Sequence, residues 1–163
     1  MYGNQKKFRK EKAVKIALAS DHAGYELKKG ISDYLSEKGV THKDFGCGHG
    51  EEVDYTDFAE KAIKRVINGD YDRAILICGT GLGMAIVANK YRGIRATLCC
   101  DEYTAEMSRR HNDSNCLTLG GRILSLDKAI EIVDIWLKTE FNAGRHKRRL
   151  DKIFKIEENN FKL

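Results

Sequence analysis

The stretch Ala74-Ile75-Leu76-Ile77-Cys78-Gly79-Thr80-Gly81-Leu82-Gly83 decides how the chain reads. Its first five residues form an unbroken apolar run, the pattern of a strand buried on both faces. The glycine-rich run behind it opens a helix expected to continue to Lys90. Working outward, Val14-Lys15-Ile16-Ala17-Leu18-Ala19 reads as a second buried strand, and residues 41–45 as a weaker edge strand. Residues 94–98 and 116–119 supply two more. Helical spacing fills the gaps. Leu27, Ile31, Tyr34 and Leu35 lie on one stripe that ends at Gly39. Phe58, Ala62 and Val66 lie on another, with Asp54 at its start and Gly69 at its end. Asp101 caps a helix running to Arg110. Residues 126–141 carry Ala129, Ile132, Val133 and Trp136 on one face, and a last helix covers residues 146–158. Alternating strands and helices predict an α/β fold, a parallel sheet with helices on both faces.

The chain has 163 residues and a net charge of +5, with 42% hydrophobic and 33% charged residues. These values exclude intrinsic disorder and a disulfide-held miniprotein. Residues 1–13 read as a loose basic leader, 14–158 as a single domain and 159–163 as a tail. No repeat or linker divides them. The apolar run 74–78 is far too short to span a bilayer, which needs about 20 residues. The basic leader has no apolar segment behind it, so a cytoplasmic protein without membrane contact is expected. The five cysteines include no C-x-x-C pair and should be free thiols.

Ligands of open α/β sheets bind beyond the carboxyl ends of the strands. That rule selects Ser20-Asp21-His22-Ala23-Gly24, residues 46–55, residues 78–83, Cys99-Cys100-Asp101 and Gly120-Gly121-Arg122. In residues 79–83, Gly79, Gly81 and Gly83 let backbone N–H groups converge on an anion. The run lacks the Gly-Lys-Ser/Thr of a Walker loop. Met84 stands where a dinucleotide fingerprint needs its third glycine and where a cysteine phosphatase needs arginine. What remains is a thiol, Cys78, at the rim of an amide-lined cup, or equally a buried structural cysteine before a tight turn. Other residues carry similar alternatives. Asp21 serves as a helix N-cap or a ligand contact. His111 suits a helix C-terminus by charge alone. Arg145 and Arg149, four apart, form a solvated basic face or an anion clamp. Tyr55 packs or binds. Cys47, His49, Cys99 and Cys100 fit no standard metal spacing, so no metal site is expected. Gathered around one rim, these groups suit a phosphorylated substrate and a proton transfer.

Seven separated motifs then carry a resemblance: Ser20-Asp21-His22-Ala23-Gly24, Asp54-Tyr55, residues 77–83, Ala88-Asn89-Lys90, Gly93-Ile94-Arg95-Ala96, Arg110-His111-Asn112-Asp113, and Gly144-Arg145-His146 with Arg149. Over residues 14–156 the chain resembles the type B ribose-5-phosphate isomerases, whose family includes galactose- and allose-6-phosphate isomerases. The resemblance implies a five-stranded parallel sheet in a three-layer, Rossmann-like sandwich. It implies homodimers, in places paired to tetramers, with sites at the dimer interface. The implied reaction is the aldose–ketose interconversion of ribose 5-phosphate and ribulose 5-phosphate, a step of the pentose phosphate pathway, without cofactor or metal. By resemblance Cys78 is the base, and Thr80 and His111 assist ring opening. The glycines 79, 81 and 83 with Asn112 hold the enediolate. Arg145 and Arg149 bind phosphate with help from His22 and Arg122, and Asp21 and Tyr55 contact the sugar. Members without the cysteine use a glutamate at the position of Met84, so this chain resembles the cysteine type. Thr56 replaces a frequent proline, and the loop before it is glycine-rich, which bears on the sugar size accepted. Two rivals are a catalytically silent subunit on the same fold and a nucleic-acid binder using the basic ends. The joint presence of Cys78, Thr80, His111, Arg145 and Arg149 speaks against the first. A steep salt dependence of RNA affinity without isomerase activity would mark the second.

Overall fold

The structure, a computed structural model that describes residues 13–161, places five parallel strands in the order β2-β1-β3-β5-β4. The strands are β1 Ile16–Ser20, β2 His42–Asp44, β3 Arg73–Cys78, β4 Ala96–Leu98 and β5 Cys116–Gly120. The helices are α1 Tyr25–Glu37, α2 Tyr55–Ile67, α3 Leu82–Ala88, α4 Glu102–Asn112, α5 Leu126–Lys138 and α6 Ala143–Asn160. The leader 1–13 lies outside the described residues but for Ala13, and the tail is described only to Phe161.

The expected central strand is central. β3 is paired on both sides, with Ala17 opposite Ala74 and Ala74 opposite Cys116. Alternation along the strands sorts the core into two layers. Ile16, Leu18, Ile75, Ile77, Leu117 and Leu119 face α1, α4 and α5, where Ile31, Ala105, Ile132 and Trp136 meet them. Ala17, Ala19, Ala74, Leu76 and Cys78 face α2 and α3, against Ala59, Ile63 and Met84. Small alanines on this second face let α2 and α3 come close to the sheet. α6 packs on α4 and reaches the β4 edge, where the Gly93 N–H donates to the Glu157 carboxylate at 2.8 Å.

Several boundaries differ from the sequence expectation by one to three residues, and at three of them the structure gives the reason. Residues 94 and 95 are not strand. The Arg95 N–H donates to the Asn115 side chain at 2.8 Å, and the Asn89 amide takes both backbone groups of Ala96 at 2.9 Å each. Side chains thus satisfy the backbone that a ladder would have used, and β4 shortens. α5 stops at Lys138 because Thr139 turns extended, with ψ 126°. In α6, Gly144 at φ 41° breaks the helical path, so the regular helix starts at Arg145.

Trp136 is the largest fully buried side chain, and its indole N–H donates to Ser114 Oγ at 3.3 Å. Trp136→Ala should cost about 3–5 kcal/mol, the usual range for emptying a buried aromatic site. Urea denaturation of both proteins gives this difference directly.

Candidate active site

The carboxyl end of the sheet is built around Cys78. Its side chain is buried on the α2–α3 face, and the Gly81 N–H points at its sulfur at 3.2 Å. Gly81 sits at φ 80°, and a β-carbon there would lie 2.6 Å from Leu98 and within 3.0 Å of the Leu119 backbone. Only glycine both adopts that turn and fits that gap. Thr80 is exposed, its hydroxyl oxygen accepting the Leu82 N–H at 3.3 Å. The Arg122 side chain borders Gly79, 3.3 Å from where a β-carbon would stand, and the Tyr55 ring covers Gly83 in the same way at 2.7 Å. The glycines therefore form a floor that an arginine and a tyrosine approach from either side.

Backbone hydrogen bonds lock the neighbouring turns to β3. The Asp21 N–H donates to the Ile77 carbonyl at 3.2 Å, and the Gly121 N–H to the Cys78 carbonyl at 2.8 Å. Asp21 does act as an N-cap: its carboxylate accepts the Gly24 N–H at 3.0 Å, opening the single turn His22–Gly24. The exposed His22 follows in that turn, and its Nδ1 accepts the Val53 N–H at 3.4 Å. Asp54 heads α2 with its backbone carbonyl alone, and no side-chain cap forms.

Cys78, Thr80, Asp21, His22, Tyr55, Arg122 and the glycines thus share one rim. His111, Asn112, Arg145 and Arg149 do not join them within one chain, and the resemblance itself implies sites at a dimer interface. α4 leaves the carboxyl end of β4 and runs back along the sheet, so its last residues reach the amino ends of the strands. There the Asn115 carbonyl accepts the Ala74 N–H at 2.9 Å. Ala74 and Cys78 are four strand steps apart, about 13 Å at ~3.3 Å per step. His111 instead stacks on His146 of α6, ring centres 4.1 Å apart and 8° from parallel. This contact puts the exposed Arg145 and Arg149 beside His111 at the opposite end of the same chain. The result is two half-sites, a thiol-and-glycine rim and a histidine-and-arginine end.

Sequence reasoning missed several residues of this architecture. His146 lay in a quoted motif without a role. Lys28 is buried beneath the rim, donating to the Cys47 carbonyl at 2.8 Å and pairing with Asp44 at 2.8 Å. Its signal was present, since residues 28, 31 and 35 are one helical stripe and a lysine interrupts it. Burial raises the Cys47 thiol pKa. All five cysteines are unpaired, with Cys100 alone exposed. Among the described residues no three His, Cys, Asp or Glu side chains gather in a metal-binding group. No described helix is long and apolar enough to cross a membrane.

Five parallel strands, with a glycine-floored turn beyond the central one and a cysteine at its rim, define a Rossmann-like α/β protein with its candidate site at the carboxyl end of the sheet. The match to known proteins is specific. Residues 16–153 fit the Ribose/Galactose Isomerase family model, and the chain belongs to that family. Ribose-5-phosphate isomerase B of Escherichia coli is 44% identical over 144 residues, covering 88% of this chain and 97% of that protein. Ribose-5-P isomerase B of Listeria innocua is 44% identical over 147 residues, 90% of this chain and 99% of its own length. The solved ribose-5-phosphate isomerase B of Clostridium thermocellum superposes with a TM-score of 0.88 at 52% identity, covering 90% of this chain and 99% of that one.

Burial lowers the His146 pKa below the ordinary value, and the nearby His111, Arg145 and Arg149 add to the effect. The folded chain therefore binds fewer protons at His146 than the unfolded chain does. That depressed value makes stability fall as pH drops below about 6.5, the unfolded histidine's pKa, towards the folded one. His146→Gln should flatten this part of the stability profile, read from urea midpoints at acid and neutral pH.

Proposed function

We propose that the chain interconverts ribose 5-phosphate and ribulose 5-phosphate, with Cys78 as the base. The observation that carries this reading is the buried Cys78 sulfur facing the Gly81 N–H at 3.2 Å, at the end of the central strand. A thiolate there takes the proton from C2 of the open-chain aldose and returns it to C1. The hydroxyl proton passes from O2 to O1, and both electrons stay within the sugar, so the step needs no redox partner. The enediolate's negative charge develops beside the glycine turn 79–83, whose backbone N–H groups stabilise it, and such donors lower the barrier most when they need no reorganisation. Thr80 lies on the rim to assist opening of the sugar ring, and Asp21 and Tyr55 border the sugar. His22 and Arg122 supply charge for the phosphate. Similarity to the type B isomerases of Escherichia coli and Listeria innocua supports ribose 5-phosphate as the substrate. Five free thiols suit a cytoplasmic home, where glutathione keeps cysteines reduced.

The remaining members come from a second copy in this reading. His111, Asn112, Arg145 and Arg149 lie about a strand's length from Cys78 in their own chain. A two-fold interface juxtaposes unlike ends of two chains and repeats the arrangement at both sites. The partner's histidine then assists ring opening beside Thr80, and its arginines hold the phosphate. Anchoring that non-reacting group positions C1 and C2 against the thiol. The homodimer is the working unit, with pairing of dimers to a tetramer compatible with the same contacts.

Cys78→Ala should lower turnover of ribose 5-phosphate by about 10²–10⁴, the usual contribution of a general base, with the fold intact by circular dichroism. Activity within about threefold of the parent would sink the assignment, because general base catalysis is worth far more.

Mixing tests the shared site. Cys78→Ala and Arg149→Ala homodimers should both be nearly dead. Unfolded and refolded together, half of the dimers are mixed, and each holds one intact site. About a quarter of the parent activity should return, from the geometry of a two-fold interface. No recovery, with subunit exchange confirmed by mass, means that each site lies within one chain.

A further inference from the structure

His111 and Asn112 end α4, and the chain leaves them through Asp113. With φ and ψ both 45°, Asp113 is the one non-glycine in the left-handed region among the described residues. A β-carbon is disfavoured there, so surrounding contacts must hold the turn. Two arginines grip it. Arg109 Nη1 donates to Asp113 Oδ1 at 2.7 Å and to the Ser114 carbonyl at 2.6 Å. Arg95 Nη2 donates to Asp113 Oδ2 at 3.2 Å, and its Nε donates to the carbonyls of Asn112 at 3.2 Å and Asp113 at 2.9 Å.

Arg95 does more than neutralise a carboxylate. Its Nη1 reaches back to the Gly93 carbonyl at 3.3 Å, and its own N–H is held by Asn115. The guanidinium lies 5.6 Å from the Phe154 ring of α6, the helix that carries Arg145 and Arg149. Its side chain is only 18% exposed and that of Arg109 only 6%. The carboxylate of Asp113 separates two arginines that would otherwise repel. A planar fork that hydrogen-bonds in its plane while an aromatic ring lies within reach is a geometry arginine meets and lysine does not. A side chain needed only to lead into β4 would have no reason to reach both the Asn112 carbonyl and α6.

We propose that Arg95, locked to Asp113, is a positioning residue that fixes His111 and Asn112 and couples them to the phosphate-binding helix α6. This rests on the reading of His111 and Asn112 as members of an isomerase site. Arg95 touches no substrate. It sets the angle at which the histidine-and-arginine end is presented, and a displacement of about 1 Å in such groups can cost two orders of magnitude in rate.

The test uses Arg95→Met, which keeps length without the fork, and Asp113→Gly, which keeps the left-handed turn without the carboxylate. With ribose 5-phosphate, kcat should fall about tenfold or more in each, and by a larger factor than KM rises. Asp113→Asn retains an acceptor and tolerance of the turn and should recover most of the activity. The Arg95→Met/Asp113→Gly double variant should be no worse than the worse single one, because residues acting as one unit are not additive. The second readout needs no turnover: in NMR spectra, the contacts between the stacked His111 and His146 rings should change in both single variants. Unchanged contacts between these rings overturn the proposal, as does a kcat loss that is additive in the double variant. If the parent chain does not isomerise ribose 5-phosphate, the functional reading fails, while the ring contacts still decide whether Arg95 positions His111.

Discussion

Three backbone hydrogen bonds at the carboxyl end of β3 hold the rest in place. The Ile77 carbonyl accepts from Asp21, the Cys78 carbonyl from Gly121 and the Gly79 carbonyl from Arg122. Because β3 is paired along both edges, its last residues cannot move without breaking two ladders. The turns after β1, β3 and β5 are therefore fixed to one another before any side chain is considered. The thiol, the glycine floor, Asp21, His22 and Arg122 inherit their relative positions from that junction. Close packing explains its glycines. A β-carbon at Gly24 would stand 2.6 Å from the Ile77 carbonyl, and one at Gly121 would stand 2.6 Å from the Ala23 carbonyl.

The opposite end is organised by charge rather than by ladders. Arg95, Arg109, Arg145 and Arg149 crowd the end of α4 and the start of α6, and Asp113 carries two of them. His146, stacked on His111, is buried among these cations, so an added proton on its ring is disfavoured. Such an arrangement is poorly compensated within one chain and well suited to an anion. In the dimer we propose, the phosphate supplies the missing charge.

Much of this was legible in the sequence. The run 74–78 and the glycines behind it gave the central strand and its turn, since an unbroken apolar stretch before a glycine-rich one has few other uses. The alternating stripes gave five strands and the order of the helices along the chain. Boundaries were less legible where side chains compete for backbone groups, as Asn89 and Asn115 do at β4. Asn and Asp side chains mimic backbone partners, and no periodicity marks which carbonyl they will find. Lys28 was hidden in the open: it interrupts an apolar stripe, but only the fold supplies Asp44 and the Cys47 carbonyl as its partners.

By itself the sequence determined the secondary elements, the family and the chemical types of the site residues, because these follow from periodicity and from motifs along the chain. The tertiary structure decided where those residues stand. A helix that follows a parallel strand must run back, so the last turn of α4 lies at the far end of the sheet from the turn after β3. That geometry divides Cys78 from His111, Arg145 and Arg149 within one chain. It also brings Arg95 against Asp113, eighteen residues later, a pairing that neither motif nor spacing announces.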